Sequence, residues 1–239
     1  MTSFAKSIAA ERPEEIALRD PRQALTWLDV DNVLNRAANA IRLAETGPDL
    51  RIAVFAENGV ETALANLGGL IGGASVVPIN FHLTAEEVAY ILSDSGARMV
   101  FLGPETAERG LEAATLAGID QIIGWRCEIA GLQSWSEWLA ASSPEEPDTS
   151  IPPRPNLLYT SGTTGRPKGT HLPPTMFAGG DTVEAHLQNL KLNPLAALGP
   201  HLVVGPMYHT GPLSGARLLA AGAPSVILTK FDPENTLKT

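Results

Sequence analysis

The chain has 239 residues, and 17 Lys and Arg against 26 Asp and Glu leave it with a net charge of −9. A surface so acidic is a poor match for a long phosphate backbone, so nucleic acid is not an expected partner. With 44% hydrophobic and 18% charged residues the chain is neither a disordered acidic tail nor a coiled coil, and its length can bury a proper core in one large domain or two small ones.

The opening residues, MTSFAKSIAAERPEE, contain no apolar run of signal-peptide length before their charges begin. The single cysteine, Cys127, can form no intrachain disulfide and cannot hold a metal by itself. Both features predict a reducing, cytoplasmic setting. Asp29 to Glu45 then sets Val30, Val33, Leu34, Ala37, Ile41 and Ala44 on one helical stripe. Ile52 to Ala56 reads as a strand, Glu61 to Ile71 as a helix and Ser75 to Ile79 as the next strand. The uncharged stretch Thr62 to Ala85 is long enough to cross a bilayer, but Gly68, Gly69, Gly72, Gly73 and Pro78 make it a Gly-rich helix followed by a strand, not a membrane span. Thr84 and Glu87 form a capping box for a helix that buries Val88, Ile91 and Leu92. Strands are predicted at Arg98 to Leu102 and Ile119 to Trp125, with a helix over Glu105 to Leu116 between them. IAVFA and SVVPI are unbroken apolar runs, so both of their faces should be covered. The alternation predicts an α/β fold with layered sheets and helices on both faces.

Ser142 to Pro155 holds five prolines and four charges in fourteen residues and can only be a connector, either a domain linker or a long surface loop. Its Glu145, Glu146 and Asp148 read as a solvated acidic run with no evident partners. Beyond it come a strand at Asn156 to Thr160, a helix around Thr175 to Leu192, a strand at His201 to Pro206, a helix over Leu213 to Ala221 and a strand at Ser225 to Thr229. Asp232-Pro233-Glu234 is a good helix start. The chain ends at Thr239, about two turns later, and the pattern predicts a chain cut inside an α/β unit.

The sharpest local signal is Tyr159-Thr-Ser-Gly-Thr-Thr-Gly-Arg-Pro-Lys-Gly169. Five of the six residues from Tyr159 to Thr164 carry hydroxyls, and the sixth, Gly162, leaves its backbone open. Such a loop can aim N–H and O–H donors at an anion. The only charges between Thr149 and Gly180 are Arg154, Arg166 and Lys168, a local +3 in an acidic chain. Composition alone would equally allow a plain Ser/Thr/Gly surface turn. Neither a Walker A loop nor a G-x-G-x-x-G fingerprint occurs, which disfavours an ordinary kinase, NTPase or dinucleotide enzyme.

The segment LLYTSGTTGRPKG resembles the phosphate-loop signature of adenylate-forming enzymes: acyl- and aryl-CoA synthetases, adenylation domains of peptide synthetases, and beetle luciferases. Pro206-Met-Tyr-His-Thr-Gly211 is similar to the family's second core motif. The block from Glu57 to Phe101, with VVPIN and TAEEVAYILSDS, agrees in order and spacing. The resemblance implies that residues 1–239 are one partial, N-terminal portion of the ligase large domain, with the connector inside it and the small C-terminal domain missing. It implies ATP-dependent activation of a carboxylic acid to an acyl-adenylate and then to a coenzyme A thioester, a reaction that residues 1–239 alone are not expected to complete. Fatty acids are the leading substrate class and aryl acids the next.

On the matched positions, Thr160, Ser161, Thr163 and Thr164 would bond phosphate oxygens, Gly162 and Gly165 would admit the backbone, and Lys168 would offset pyrophosphate charge. Arg166 occupies a variable position of the signature and carries less weight. His209 would sit at the mouth of the acyl pocket, shaped also by Tyr208 and Gly211; without the resemblance a lone His after an apolar strand reads as structural. His82, His171, His186 and His201 have no such support and read as structural or exposed, and Cys127 as a small half-buried residue. ATP, Mg2+ and coenzyme A are the implied cofactors and co-substrates, the Mg2+-binding glutamate being expected beyond residue 239. The chain departs from the family at Thr170-His171-Leu-Pro-Pro174, where many members begin a more apolar strand. A non-catalytic remnant that binds acyl groups or a partner protein is the competing class. An exposed sheet edge left by truncation would favour association into oligomers.

Overall fold

The computed structural model describes residues 4–44, 49–160, 167–171 and 180–238. Its main sheet is built from β3 (Arg51–Phe55), β4 (Ser75–Ile79), β5 (Met99–Leu102), β6 (Gln121–Gly124) and β7 (Gln133–Ser134), in the order β4-β3-β5-β6-β7. All four pairings are parallel. The apolar runs that predicted covered strands are buried throughout in β4 and β5, and from Ile52 onward in β3.

The two faces have separate cores. Ile52, Val54, Val76, Met99 and Phe101 point to the side of α2 (Trp27–Leu43) and α3 (Val60–Ile71). Ala53, Phe55, Val77, Val100 and Leu102 point to α4 (Ala85–Ser95) and α5 (Ala107–Ala117). Alternate residues of a strand face opposite ways, so one continuous apolar run feeds two cores. Phe101 is fully buried and meets Trp135 and Trp138 edge-on, with ring centroids 5.8 and 5.2 Å away, at α6 (Trp135–Ala140). The Gly-rich helix works by close approach. A Cβ on Gly68 would stand 2.7 Å from the Cβ of Ala37, so the α3 backbone packs directly on the Ala37 methyl of α2 there. No helix among the described residues is long and apolar enough to cross a membrane.

A second sheet joins the beginning of the chain to its end. It consists of β1 (Ile16–Arg19), β2 (Ala24–Thr26), β10 (His201–Val203) and β11 (Ser225–Ile227), in the order β10-β11-β1-β2. Strand β1 pairs with β11 in parallel and with β2 in antiparallel fashion. Strands β1 and β2 and α1 (Phe4–Glu11) escape the periodicity reading because such short runs carry too little pattern.

Several boundaries differ from expectation for identifiable reasons. Helix α2 starts at Trp27, not Asp29, because Thr26 is the cap: its hydroxyl accepts from Asp29 N while the Asp29 carboxylate accepts from Thr26 N. The Thr84–Glu87 capping box forms as expected. Helix α5 starts at Ala107 because the Thr106 hydroxyl turns inward and donates to Phe55 O at 2.6 Å. The helix expected from Thr175 begins at Val183 (α7, Val183–Leu190), with Gly180 at φ +114° and Thr182 as its cap; residues 175–179 lie outside the described residues. Helix α8 (Thr210–Ala216) starts three residues before Leu213 and tightens into a 3-10 turn over Arg217–Ala221. The last helix, α9, is Pro233–Lys238.

The connector 142–155 has neither helix nor strand and lies along α2. Arg36 donates to Ser142 O at 2.6 Å, Asn39 donates to Ser143 O and Glu145 O at 3.0 and 2.8 Å, and Arg42 donates to Asp148 O. Residues 36, 39 and 42 recur at helical spacing, one face of α2 serving the strap. The acidic run has partners after all: Glu146 meets Lys6 at 3.8 Å and Asp148 meets Arg42 at 3.5 Å. Both cations lie more than a hundred residues upstream, beyond any local pattern.

Candidate functional site

The signature sits on a hairpin. Strand β8 (Leu157–Thr160) pairs antiparallel with β9 (Lys168–His171), in the register Leu157 to His171, Tyr159 to Gly169 and Thr160 to Lys168. Thr160 and Lys168, both exposed, therefore face each other across the last rung, where the phosphate-loop segment begins and ends. Ser161, Gly162, Thr163, Thr164, Gly165 and Arg166 lie outside the described residues.

Three contacts fix this hairpin. Leu157 is buried in the core shared with α4 and α5. The Tyr159 hydroxyl donates to Asp94 Oδ2 at 2.6 Å near the end of α4. Burial and that acceptor push the Tyr159 phenol well above its ordinary range, so it stays a neutral donor. Asn156, buried, accepts from Arg217 Nη2 at 2.8 Å. Gly169 allows close approach opposite Tyr159: a Cβ there would lie 3.2 Å from the tyrosine ring and from Leu157.

The second predicted group lies beyond the end of β10. Met207 is buried, Tyr208 is half-buried, and His209 and Gly211 are exposed. His209 is the residue before α8; its N–H donates to Pro206 O at 3.0 Å and its carbonyl accepts from Leu213 N at 3.1 Å. The Tyr208 ring lies 4.3 Å from the His209 ring and meets Phe81 edge-on at 5.8 Å. Among the described residues nothing stands within 4 Å of a Cβ built on Gly211. Thr160 and Lys168 are thus brought together, as are Tyr208 and His209. Among the described residues no hydrogen bond, ion pair or ring contact bridges the two groups.

Three residues around these groups escape sequence reasoning. Asn58, buried after β3, bonds Gly205 O, Leu228 O and Met207 N. Phe81 packs on Tyr208, and its own carbonyl is held by Arg109 Nη2 at 3.0 Å. Asp94 anchors Tyr159. The signal for Asn58 is a polar residue directly after an apolar strand, where a turn is the simpler reading. Its neighbour Glu57 is also buried, and burial, helped by the nearby Glu105 carboxylate, lifts its carboxyl above the ordinary range. Of the four other histidines, His186 is buried, His201 half-buried and His82 exposed; Cys127 is half-buried. The side chain of His171 lies outside the described residues. Among the described residues no group of three or more His, Cys, Asp and Glu side chains is arranged to hold a metal ion.

A parallel α/β sheet of this order, with a Ser/Thr/Gly hairpin beside it and an aromatic-His loop on a second sheet, has relatives. The AMP-binding enzyme family matches residues 5–239, and the chain belongs to that family. Among curated relatives, the long-chain-fatty-acid–CoA ligase FadD13 of Mycobacterium tuberculosis is 30% identical over 218 residues, covering 87% of this chain and 40% of that protein. The feruloyl-CoA synthase of an Amycolatopsis species is 32% identical over 228 residues, covering 92% of this chain and 42% of its own length. The inhibitor-bound N-terminal domain of FACL13 from Mycobacterium tuberculosis superposes with a TM-score of 0.76 at 25% identity, over all of this chain and 60% of that one. This chain spans about two-fifths of the length of the curated CoA ligases it matches, and only 2% of tyrocidine synthase 3 from Brevibacillus parabrevis.

Proposed function

We propose that this chain carries the phosphate- and acid-binding part of an acid–thiol ligase. In the first half-reaction a carboxylate would attack the α-phosphorus of ATP, expelling pyrophosphate and leaving an acyl-adenylate. In the second, the thiol of coenzyme A would attack the acyl carbon and expel AMP. The observation that carries the reading is the hairpin register, which sets Thr160 opposite Lys168 at the base of the signature loop, both exposed to solvent.

The chemical difficulty of the first step is an anion attacking an anion while charge grows on the leaving group. Fixed hydroxyl and amide donors with a lysine suit it, because they stabilise developing charge without reorganising. Thr160, Ser161, Thr163 and Thr164 would donate to phosphate oxygens, Gly162 and Gly165 would admit the backbone, and Lys168 would offset pyrophosphate charge. Tyr208, His209 and Gly211 would border the acid. Mg2+ would be held by a glutamate expected beyond residue 239, and no step is assigned to it. Fatty acids are the preferred substrate class, since a long-chain-fatty-acid–CoA ligase is a relative over most of this chain; the feruloyl-CoA synthase keeps aryl acids second. Domain extent 1–239 and a cytoplasmic setting belong to the same reading.

Hydroxamate trapping of the activated acid, with a panel of fatty and aryl carboxylates on the full-length protein, tests it. A trapped fatty acyl hydroxamate is expected; trapping of none would remove the ligase assignment and favour a non-catalytic binding module. Lys168→Ala should slow pyrophosphate release by about a hundred-fold with the fold retained.

A further inference from the structure

We propose that Asn58 is a positioning residue for the Tyr208–His209 loop, setting where the two rings stand relative to the main sheet. It rests on the reading of that loop as the acid-binding edge, and it adds a residue that the signature motifs do not contain.

Asn58 lies where the main sheet divides. In the order β4-β3-β5 the chain leaves β3 through α3 on one face, and leaves its neighbour β5 through α5 on the other. The carboxyl ends of these strands are therefore the switch point, where connections diverge and a crevice opens in sheets of this kind. Asn58 is the third residue after β3 and is only 5% exposed.

Its carboxamide does not bond that crevice's own strands. It reaches across to the second sheet, 147 to 170 residues away in sequence. The side-chain amide donates to Gly205 O at 2.8 Å and to Leu228 O at 3.1 Å, and its oxygen accepts from Met207 N at 2.8 Å. These backbone groups lie just past Val203 and Ile227, where β10 and β11 stop pairing. An asparagine has two N–H donors and one acceptor oxygen, and all are matched here. Met207 N belongs to the residue immediately before Tyr208, so the clamp acts on the backbone that carries the ring. Phe81 holds the same ring from the side, edge-on at 5.8 Å. The loop is thus mounted at two points: an amide beneath and an aromatic beside.

Close substitutes fail for separate reasons. Asn58→Asp would keep an acceptor for Met207 N but turn a second acceptor toward two carbonyls. Asn58→Leu, with a side chain of comparable size, would leave the buried Met207 N and Leu228 O and the half-buried Gly205 O without this partner.

The test uses Asn58→Asp and Asn58→Leu in the full-length protein, with Leu34→Ala, a buried α2 substitution that removes none of the Asn58 hydrogen bonds, as a control for lost stability. Amide exchange of 205–211 should rise by about ten-fold in both Asn58 variants while that of 51–55 stays unchanged. Pyrophosphate-release kinetics should show KM for the acid raised about ten-fold with KM for ATP within about two-fold of the parent. The control should move neither ratio. Unchanged exchange at 205–211 overturns the clamp. Raised exchange with equal rises in both KM values, or with a loss of kcat alone, overturns the positioning role. If the parent activates no acid at all, the ligase reading fails by itself, and the exchange arm still decides the clamp. Should the leucine variant not fold, the aspartate variant, which keeps the side chain's size, decides both arms.

Discussion

The interior of the five-stranded sheet and the two site-bearing segments are built by different means. Strands β3, β4 and β5 are held by side chains that lost their water, each fully buried large residue contributing about 1.5–3 kcal/mol. The hairpin and the loop at Tyr208 have exposed working residues and few apolar anchors. They are held by single polar brackets: Tyr159 to Asp94, Asn156 to Arg217, and Asn58 to three backbone groups. Burial is non-directional and fixes a layer; a hydrogen bond fixes a position. A surface left open, as the proposed ligand site requires, is not covered by the core, and here it is placed by directional contacts from beneath.

That contrast can be broken or sharpened by measurement. The largest effect is expected from Phe101→Ala, which empties the aromatic cluster with Trp135 and Trp138 and should cost about 3–5 kcal/mol in urea unfolding. A loss under about 1 kcal/mol would mean the interior is looser than its burial implies. Next is His186. Burial, with the Arg217 charge nearby, holds its imidazole down at about 4, below the ordinary 6.5. Its contribution is therefore present above pH 6.5 and lost as pH falls toward 4. Across that window stability should fall by up to about 1.4 kcal/mol per pH unit, and His186→Gln should flatten the slope. Gly68→Val should cost about 1–3 kcal/mol by forcing α2 from α3, read as a lower Tm without loss of helix signal. The smallest global change is expected from Tyr159→Phe, about 0.5–1.5 kcal/mol, but with amide exchange raised in 157–160 and 168–171 and little changed in β3. Equal exchange in both regions would erase the distinction between bracket and core.

The same distinction explains what can be read in the sequence. The runs IAVFA and SVVPI, the stripe through Leu34 and Ile41, and the Thr84–Glu87 box are local patterns, and their elements stand where expected within a residue or two. The two-residue shift of α2 comes from a cap, Thr26, whose partner Asp29 looks like a start in its own right. The signature from Tyr159 to Gly169 is readable by resemblance, and its family is established. Asn58, Phe81 and Asp94 are invisible because the site groups they hold stand 65 or more residues away, and no spacing rule spans that distance. The acidic run at Glu146 and Asp148 looks unpartnered for the same reason, its lysine and arginine lying on α1 and α2.

The strap over 142–155 has a consequence for how the molecule would come apart. Its carbonyls at 142–148 are zipped to Arg36, Asn39 and Arg42 on the same side of any cut beyond them, so the seams that cross such a cut are β1 with β11, Asn58 with Gly205 and Tyr159 with Asp94. A protease that nicked the backbone between Pro152 and Pro155 would sever one covalent thread and leave two interlocked halves. Such halves would migrate as one particle until denaturant released them, and would carry their long-range seams with them when mixed again.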